Sequence, residues 1–303
     1  MNNKVKIKEI FASIQGEGPY VGYKQLFIRF CGCNLKCNYC DTDFSAESNY
    51  REFTAQELAE EVNKYTDVHS ISLTGGEPLL SVEFLKEFLP LVCGNPLLQD
   101  FSVGEGAVVG ETQTSRTNAG EVMKKDYNLD YHEITPSPEF VNSAVASLTN
   151  SSLSLKGRGV KPKIYLETNA TLSDKFLEIK PYIDIVSADI KLESATGLNT
   201  FELHNKFFEA CKGVETFAKI VFNNKITDEE IIKCCELGRK YGIELILQPE
   251  TLNSGKLKVE SGKLNDFQLS TFNFQLDTIL DKFLQNYSNV RLIPQVHKFL
   301  NVR

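Results

Sequence analysis

The amino-acid sequence predicts an α/β protein, a partial and open (β/α) barrel of about six strand–helix units with a long insertion. Three observations favour this fold. Short apolar strand-like runs alternate with amphipathic helical segments, the strand-like runs end in polar or cysteine-rich motifs, and one long segment interrupts the alternation. Such alternation is typical of a parallel sheet with helices packed outside it. A full eight-unit barrel is less favoured, because the insertion and the segment around QGEG use up residues.

The first half of the chain contains two predicted strand–helix units. KQLFIRFC, at 24–31, is a predicted strand, and Thr54 with Glu57 forms a capping box at the start of the amphipathic helix TAQELAEEVNKY. The apolar run SISLTGGEP, at 70–78, ends in a glycine turn. VEFLKEFLPLV follows as a second predicted helix.

Residues 94–162 break the alternation. They are rich in Gly, Ser, Thr and Asn and only weakly periodic. A structureless loop of this length is uncommon inside a compact domain. We therefore interpret 94–162 as an insertion within a single domain spanning 1–303, and the sequence leaves its role open.

Beyond the insertion, strands and helices alternate again to the C-terminus. Strands are predicted over KIYLETN, DIVSADIK, TFAKIVFN, IELILQPE and VRLIPQ. Helices are predicted over FELHNKFFEACKG, TDEEIIKCCELGRKYG and FQLSTFNFQLDTILDKFLQNY. The second of these helices begins with a capping box, Thr227 to Glu230, and ends at Gly242. Because functional groups gather at the C-terminal ends of parallel strands, the polar motifs there are expected to form one site.

The composition narrows the class of protein. The chain has 303 residues, of which 42% are hydrophobic, so it can bury a sizeable core. No apolar run has the length of a membrane span, and the N-terminus lacks the apolar core of a signal peptide. We expect a soluble cytoplasmic protein without a membrane partner. The net charge of −7 argues against a broad surface for nucleic acid.

Four cysteines lie within ten positions of the segment RFCGCNLKCNYCDTDF. In a reducing compartment, clustered cysteines are more often metal ligands or redox groups than disulfides. Cys33, Cys37 and Cys40 have the spacing C-x3-C-x2-C. Three thiolates on a tight loop can hold three irons of a 4Fe–4S cluster and leave the fourth iron free for a small molecule. The alternative is a structural zinc site, although zinc usually takes four ligands in two pairs, and Cys31 is poorly placed as the fourth.

This spacing, with an aromatic residue before the last cysteine, resembles the signature of the radical S-adenosylmethionine superfamily. TGGEP supports the resemblance, because Gly75 and Gly76 allow close backbone approach and Glu77 can accept a hydrogen bond from an ammonium group. The resemblance implies that the free iron chelates S-adenosylmethionine. An electron from the cluster would then release a 5′-deoxyadenosyl radical. The residues implied to contact this cofactor are Tyr39, Gly75, Gly76 and Glu77.

The combination of QGEG, IRFCGCNLKCNYCDT, TGGEP, ETN and QVHKFLNVR resembles the 7-carboxy-7-deazaguanine synthase family. That family belongs to the biosynthesis of queuosine and other deazapurines. The resemblance implies a lyase that converts 6-carboxytetrahydropterin into 7-carboxy-7-deazaguanine with loss of ammonia, uses S-adenosylmethionine catalytically and needs Mg²⁺. It also implies a homodimer and an electron donor of the reductase or flavodoxin type.

Candidate substrate residues lie in and near QGEG. Gln15 can donate and accept hydrogen bonds, Glu17 can accept them from ring N–H groups, and Arg29 is a candidate carboxylate clamp. A polar turn is the alternative for the first two, and a structural salt bridge is the alternative for Arg29. His297 is expected to pack or hydrogen-bond rather than act as a base. The resemblance adds substrate-binding Ile14, Gly16, Thr74 and Arg303, catalytic Glu167, magnesium-binding Thr42, and cofactor-binding Ser187, Ala188, Asp189, Gln248, Pro249 and Glu250.

Two rival functions are compatible with parts of the sequence. An activating enzyme for a glycyl-radical enzyme would share the cysteine loop, but it would act on a protein and would not need QGEG. A non-enzymatic zinc or iron–sulfur scaffold would not need the TGGEP strand end. The first rival is the closer alternative.

Overall fold

The structure is a computed structural model that describes residues 3–38, 40, 49–65, 67–93, 162–250 and 266–300. The strands are β1 Lys4–Ile14, β2 Lys24–Phe30, β3 Arg51–Thr54, β4 Ser70–Gly75, β5 Lys163–Thr168, β6 Ile185–Ile190, β7 Glu215–Phe222, β8 Glu244–Pro249 and β9 Val290–Leu292. The helices are α1 Ala55–Val62, α2 Val82–Cys93, α3 Ser173–Ile179, α4 Glu193–Thr196, α5 Phe201–Ala210, α6 Asp228–Tyr241, α7 Asp266–Asn286 and α8 Val296–Leu300. Residues 94–161, which make up nearly all of the predicted insertion, lie outside the described residues, as do Tyr39, Thr42 and Arg303.

The described strands form one nine-stranded sheet in the order β3-β1-β2-β4-β5-β6-β7-β8-β9. Neighbouring strands from β2 to β9 run parallel to one another. β1 runs antiparallel to both β2 and β3. Within the described part of the chain, β3 and β9 are the two edges, so the sheet is open. The predicted open α/β architecture is confirmed.

Local sequence accounts for the helix ends that frame the sheet. Both predicted capping boxes are present, at Thr54 with Glu57 and at Thr227 with Glu230. Each satisfies two backbone N–H groups that have no partner inside the helix. Helix α6 ends at Gly242, whose φ of 66° is left-handed and favours glycine. These ends return the chain to the start of the next strand.

Side chains alternate between two faces of the sheet, as the two-residue period of a strand requires. On β2, Leu26, Ile28 and Phe30 are fully buried in the main core beneath the helices. Gln25 and Arg29 therefore lie on the opposite face, which we call the inner face. On this face Tyr165, Ile185, Phe217 and Ile246 form a separate small apolar cluster. Two residues further along each of these strands, toward its C-terminal end, the side chain on the inner face is polar.

The antiparallel edge was not predicted. Strands β1 and β3 were absent from the expected units, because β1 mixes lysines with apolar residues and β3 has only four residues. The parallel strands are β2 and β4 to β9, and they are the seven strands predicted from the sequence. Among the described residues, no helix has both the length and the apolar character needed to cross a membrane.

Candidate active site

The motifs at the strand ends converge on the inner face of the sheet. β5 carries Tyr165 and then Glu167, and β7 carries Phe217 and then Lys219. β8 repeats the pattern with Ile246 followed by Gln248. An apolar layer is therefore covered by a polar layer toward the C-terminal ends of the strands. This is the edge at which parallel α/β folds bind their ligands.

The cysteine loop leaves the end of β2 at the same edge. The Cys33 and Cys40 side chains are exposed and Cys37 is half-buried. A turn joins them, since the Cys40 N–H donates to the Cys37 carbonyl over 3.2 Å. Burial raises the pKa of the Cys37 thiol; Lys191 opposes this, and the neighbouring thiols of Cys33 and Cys40 add to it. The three sulfurs thus lie close enough to interact electrostatically.

The donor set suits a 4Fe–4S cluster. Among the described residues, no three Cys, His, Asp or Glu side chains are grouped tightly enough to hold a single metal ion. In a cubic cluster each thiolate binds its own iron, so the sulfurs stand further apart than the ligands of one zinc. Cys33, Cys37 and Cys40 offer the three thiols on one loop that such a cluster takes. Cys31 precedes the loop, and its N–H is bonded to the Lys6 carbonyl at 3.0 Å.

The glycines of TGGEP bring two backbones together. Gly75 has a φ of +111°, and a Cβ at Gly76 would lie 1.8 Å from the Gly32 carbonyl oxygen. The Gly76 N–H donates to the Phe30 carbonyl at 3.0 Å, and the Glu77 N–H donates to that of Gly32 at 2.8 Å. The close approach expected toward a ligand is here made to the cysteine loop. The two loops form one backbone unit.

The Glu77 side chain supports this unit. It is fully buried and accepts hydrogen bonds from the N–H groups of Leu79 and Asn169 and from the Thr168 hydroxyl. Burial raises the pKa of Glu77 to about 7, although the backbone N–H groups of Asn169 and Leu79 oppose the rise. The side-chain hydrogen bonds of Glu77 are thus made within the protein, and its contact with an ammonium group stays a prediction.

Asn169 connects the end of β5 to the cysteine loop. Its side-chain N–H₂ donates to Asn34 Oδ1 at 2.8 Å and lies 3.8 Å from the Cys33 sulfur. The Asn34 amide in turn donates to Thr171, whose hydroxyl donates to Asn169 Oδ1 at 2.6 Å. Sequence reasoning missed this three-residue network. The ETN motif was its only signal.

Glu167 lies at the centre of the polar layer. Its Oε2 accepts a hydrogen bond from Thr74 at 2.7 Å, and its Oε1 accepts from Gln15 at 2.9 Å and from Ser72 at 3.3 Å. Gln15 also donates to Gln25 Oε1 at 3.1 Å. The structure therefore brings together three predicted residues from three parts of the chain, and it adds Ser72 and Gln25, which were not predicted.

Glu17 is held beside this group by four polar partners. Its Oε2 pairs with Lys219 Nζ at 2.5 Å, and its Oε1 accepts from Gln295 at 2.7 Å and Gln248 at 3.2 Å. Its backbone N–H donates to Gln15 Oε1 at 3.0 Å. Burial alone would raise the pKa of Glu17, but the charge and hydrogen bond of Lys219 and the Gln295 hydrogen bond lower it to about 2. Glu17 is therefore ionised at neutral pH.

The predicted cofactor residues on β6 occupy different surroundings. Asp189 pairs with Lys191 at 2.7 Å and with Lys219 at 3.2 Å. Ser187 is buried, and the Ala188 side chain belongs to the main core beneath the helices. Ala188 can therefore meet a ligand only through its backbone.

The predicted cofactor residues on β8 also differ from one another. Gln248 is 2% exposed, and within the described residues nothing donates to its Oε1. Pro249 is buried. Glu250 accepts a hydrogen bond from Asn223 at 2.8 Å, and its N–H donates to the Phe222 carbonyl. Glu250 thus ties the ends of β7 and β8 together.

The remaining predicted substrate residues adjoin the polar layer, since Arg29 pairs in register with Thr74 and Gly16 stands between Gln15 and Glu17. Arg29 pairs with Glu9 at 2.6 Å and stacks over the Phe11 ring, so the alternative of a structural salt bridge describes its contacts. Ile14 ends β1 and is half-buried. Gly16 is in tight contact with His297, because a Cβ there would lie 2.4 Å from the His297 side chain. His297 packs as expected.

Comparisons with known proteins agree with this geometry. The family model of the radical SAM superfamily matches residues 27–249. A 7-carboxy-7-deazaguanine synthase from Archaeoglobus fulgidus is 28% identical over 99% of this chain and 100% of the relative. One from Geobacter sulfurreducens is 26% identical over 97% of this chain and 96% of the relative. One from Clostridium acetobutylicum is 49% identical over 41% of this chain and 56% of the relative.

Proposed function

The chain belongs to the radical SAM superfamily, and from this premise we propose that it is a 7-carboxy-7-deazaguanine synthase. It converts 6-carboxytetrahydropterin into 7-carboxy-7-deazaguanine with loss of ammonia, a step of queuosine and deazapurine biosynthesis. One observation carries the proposal. A loop with three thiols and a polar layer of amides and carboxylates meet at the same edge of the sheet, in a chain that matches such synthases over nearly its full length.

The inner face offers what a pterin ring requires. A pterin presents an edge of alternating donors and acceptors. The amides of Gln15 and Gln25 and the carboxylates of Glu17 and Glu167 supply both kinds of partner. The Gln25 Nε2 is buried without an acceptor in the described part of the chain. A bound heterocycle can satisfy such a group, because a buried polar atom without a partner is costly.

Cys33, Cys37 and Cys40 would hold the cluster, and the strand ends at Asp189 and Gln248 would line the site of S-adenosylmethionine. When bound, the cluster supplies the electron that cleaves this cofactor to a 5′-deoxyadenosyl radical. The protein's own part is to orient the substrate and exclude water. Because its carboxylate lies at the C-terminal end of β5 beside Thr74 and Gln15, Glu167 is placed to exchange a proton with the substrate during the ring contraction.

Several finer features belong to the same proposal. Thr42 would bind Mg²⁺ together with the substrate carboxylate, since Mg²⁺ takes few protein oxygens and keeps ligands from substrate and water. The electron would come from a reductase or a flavodoxin-type protein. The enzyme would act as a homodimer in the cytoplasm, and the Arg303 end of the chain would approach the substrate.

The test is an anaerobic reconstitution with iron and sulfide, followed by incubation with reductant, Mg²⁺, S-adenosylmethionine and 6-carboxytetrahydropterin. We expect 7-carboxy-7-deazaguanine and ammonia in equal amounts, with many turnovers for each S-adenosylmethionine consumed. The matched control is Cys37→Ala taken through the same reconstitution. Cleavage of S-adenosylmethionine without any deazapurine in the unmodified enzyme would contradict the proposal and favour an activating enzyme.

A further inference from the structure

Lys219 is a buried lysine that no motif singles out. It lies on the inner face of β7 and is 8% exposed. Its Nζ is 2.5 Å from Glu17 Oε2 and 3.2 Å from Asp189 Oδ1. Glu17 belongs to the QGEG segment after β1, whereas Asp189 lies near the end of β6. One ammonium group thus joins two parts of the site that are far apart in the chain.

A row of alternating charges runs through Lys219. Asp189 pairs on its other oxygen with Lys191 at 2.7 Å. Asp189 and Lys191 both act electrostatically on Cys37 of the cysteine loop. The row of ion pairs therefore leads from Lys191 through Asp189 and Lys219 to Glu17, and its Lys191 end is the one whose charge opposes the rise that burial causes in the pKa of the Cys37 thiol. It connects the side expected to bind the cofactor with the side expected to bind the substrate.

The Lys219 ammonium is charged, and only some of its N–H donors have acceptors. Burial alone would lower the pKa of Lys219, but the charges of Asp189, Glu17 and Glu167 raise it well above its ordinary value. An ammonium has three N–H donors. Two of them have the acceptors Glu17 and Asp189, and within the described residues the third has none. A third donor is therefore available to a ligand held between the two carboxylates.

We propose that Lys219 is a positioning residue, which fixes the Glu17 and Asp189 carboxylates and thereby links binding of the pterin ring to binding of S-adenosylmethionine. This inference rests on the proposed function. Removing the ammonium leaves Glu17 without its counter-charge and Asp189 with that of Lys191 alone, so both carboxylates would move or take up water or protons. Because linkage is reciprocal, each ligand should tighten the other by the same factor, and this factor should fall when Lys219 is replaced.

The experiment compares Lys219→Met and Lys219→Arg in the reconstituted holoenzyme. The matched control is Lys163→Met, which removes an exposed lysine from neighbouring β5 whose Nζ lies 3.8 Å from Glu215. Iron content and circular dichroism check the cluster and the fold. The affinity for S-adenosylmethionine is measured by equilibrium dialysis with and without 6-carboxytetrahydropterin. Steady-state kinetics gives KM for the pterin and the ratio of 5′-deoxyadenosine to product.

We expect Lys219→Met to lower the affinity for S-adenosylmethionine and to raise the KM for the pterin, each by about tenfold or more. The pterin should no longer tighten S-adenosylmethionine, and more 5′-deoxyadenosine should form for each product. Lys219→Arg keeps the charge but moves the donors, so it should show the same changes at smaller size. Lys163→Met should match the unmodified enzyme.

Unchanged affinity and unchanged linkage in a folded Lys219→Met would overturn the inference. If Lys219→Met does not fold, Lys219→Arg decides, and values equal to those of the unmodified enzyme would overturn it. Failure of the proposed function has a different signature, which is the absence of deazapurine from the unmodified enzyme. In that event the affinity for S-adenosylmethionine, measured without the pterin, still tests the contact between Lys219 and Asp189. An unchanged affinity in Lys219→Met would count against the inference.

Discussion

The Thr74 hydroxyl donates a hydrogen bond of 2.7 Å to Glu167 Oε2 across the neighbouring parallel strands β4 and β5. Both residues lie at the C-terminal ends of their strands, so a ligand that reaches one reaches the other. The bond fixes one carboxylate oxygen, while Gln15 and Ser72 approach the second. The orientation of Glu167 is therefore set before any ligand arrives.

Glu167→Gln should lower kcat for product by roughly a hundredfold or more, because an amide cannot hold a proton as a carboxylate does. The N–H₂ group of the new glutamine side chain would also face the O–H of Thr74 or the N–H₂ of Gln15, which donate to the carboxylate in the unmodified enzyme. The matched control is Ser72→Ala, which removes the longest of the three hydrogen bonds and should cost less than about tenfold. Steady-state kinetics with iron content as a reference checks both. Equal losses in the two variants would remove Glu167 from the chemistry.

Replacing Cys33, Cys37 or Cys40 by alanine should abolish the cluster, because each thiolate holds a separate iron. Iron and sulfide analysis and the brown absorbance after anaerobic reconstitution give the measurement. Cys31→Ala is the control on the same segment and should keep both signals. Loss of the cluster in Cys31→Ala would make Cys31 a ligand and would revive the zinc alternative.

Gly76→Ala should lower both cluster content and affinity for S-adenosylmethionine, since its Cβ would collide with the Gly32 carbonyl at 1.8 Å. Backbone atoms cannot move aside as a flexible side chain can, so the two loops would separate. Gly213→Ala is the control: Gly213 has a φ of +86° but open space around its Cβ, so only a backbone strain of about 1–2 kcal/mol is expected. A Gly76→Ala enzyme with full cluster content would contradict this account of the loops.

His204 should make stability depend on pH. It is fully buried; its Nε2 accepts from the Lys191 N–H at 3.0 Å, and its Nδ1 lies 3.1 Å from the Ala170 carbonyl. Burial lowers the pKa of His204 from 6.5 to about 4, against the opposing hydrogen bond to the Ala170 carbonyl. Between these values the unfolded chain binds a proton that the folded chain excludes.

The free energy of unfolding should therefore rise with pH from about 4 to 6.5, by at most roughly 3 kcal/mol from this group. Below pH 4 this contribution is absent, and above pH 6.5 it is complete. Urea unfolding at pH 4.5, 5.5 and 7 measures it. His204→Gln should be less stable at pH 7 but should lose less on acidification. Parallel pH curves for the two proteins would show that His204 does not titrate in this range.

Thr42→Ala should lower turnover and weaken its dependence on Mg²⁺, while iron content and cleavage of S-adenosylmethionine persist. A neutral hydroxyl adds no charge, so Mg²⁺ and substrate should bind cooperatively. Activity against Mg²⁺ concentration is the measurement, and Thr42→Ser, which keeps the hydroxyl, is the control. Identical curves for Thr42→Ala and the unmodified enzyme would remove Thr42 from the metal site and make Asp41, the carboxylate directly before it in the sequence, the next candidate.

Local pattern predicted the parallel part of the fold well, because each buried strand and capped helix has its own signal. The capping boxes at Thr54 and Thr227 are in place. The direction of β1 has no such signal, since an antiparallel neighbour and a parallel one demand the same alternation. Pairing is decided by contacts with β2 and β3 that are not local in sequence.

The site was predictable where residues form motifs, and less so where they act through the fold. Lys219 interrupts the apolar run TFAKIVF, just as Arg29 interrupts IRF, and the same reasoning about strand alternation could have found it. The roles of Glu77 and Asn169 could not be foreseen. Their partners, Thr168 and Asn34, lie 91 and 135 positions away in the chain and become neighbours only through the sheet.

The hydrogen bonds from Gly76 and Glu77 to Phe30 and Gly32 extend the β2–β4 ladder beyond both strands and into the root of the cysteine loop. The loop is thus anchored at its base before it holds iron. Loading and removal of the cluster should be local events that leave the sheet folded. In hydrogen–deuterium exchange, the amides of Gly76 and Glu77 should stay protected in the iron-free protein, whereas the exposed positions around Cys33 and Cys40 should exchange early.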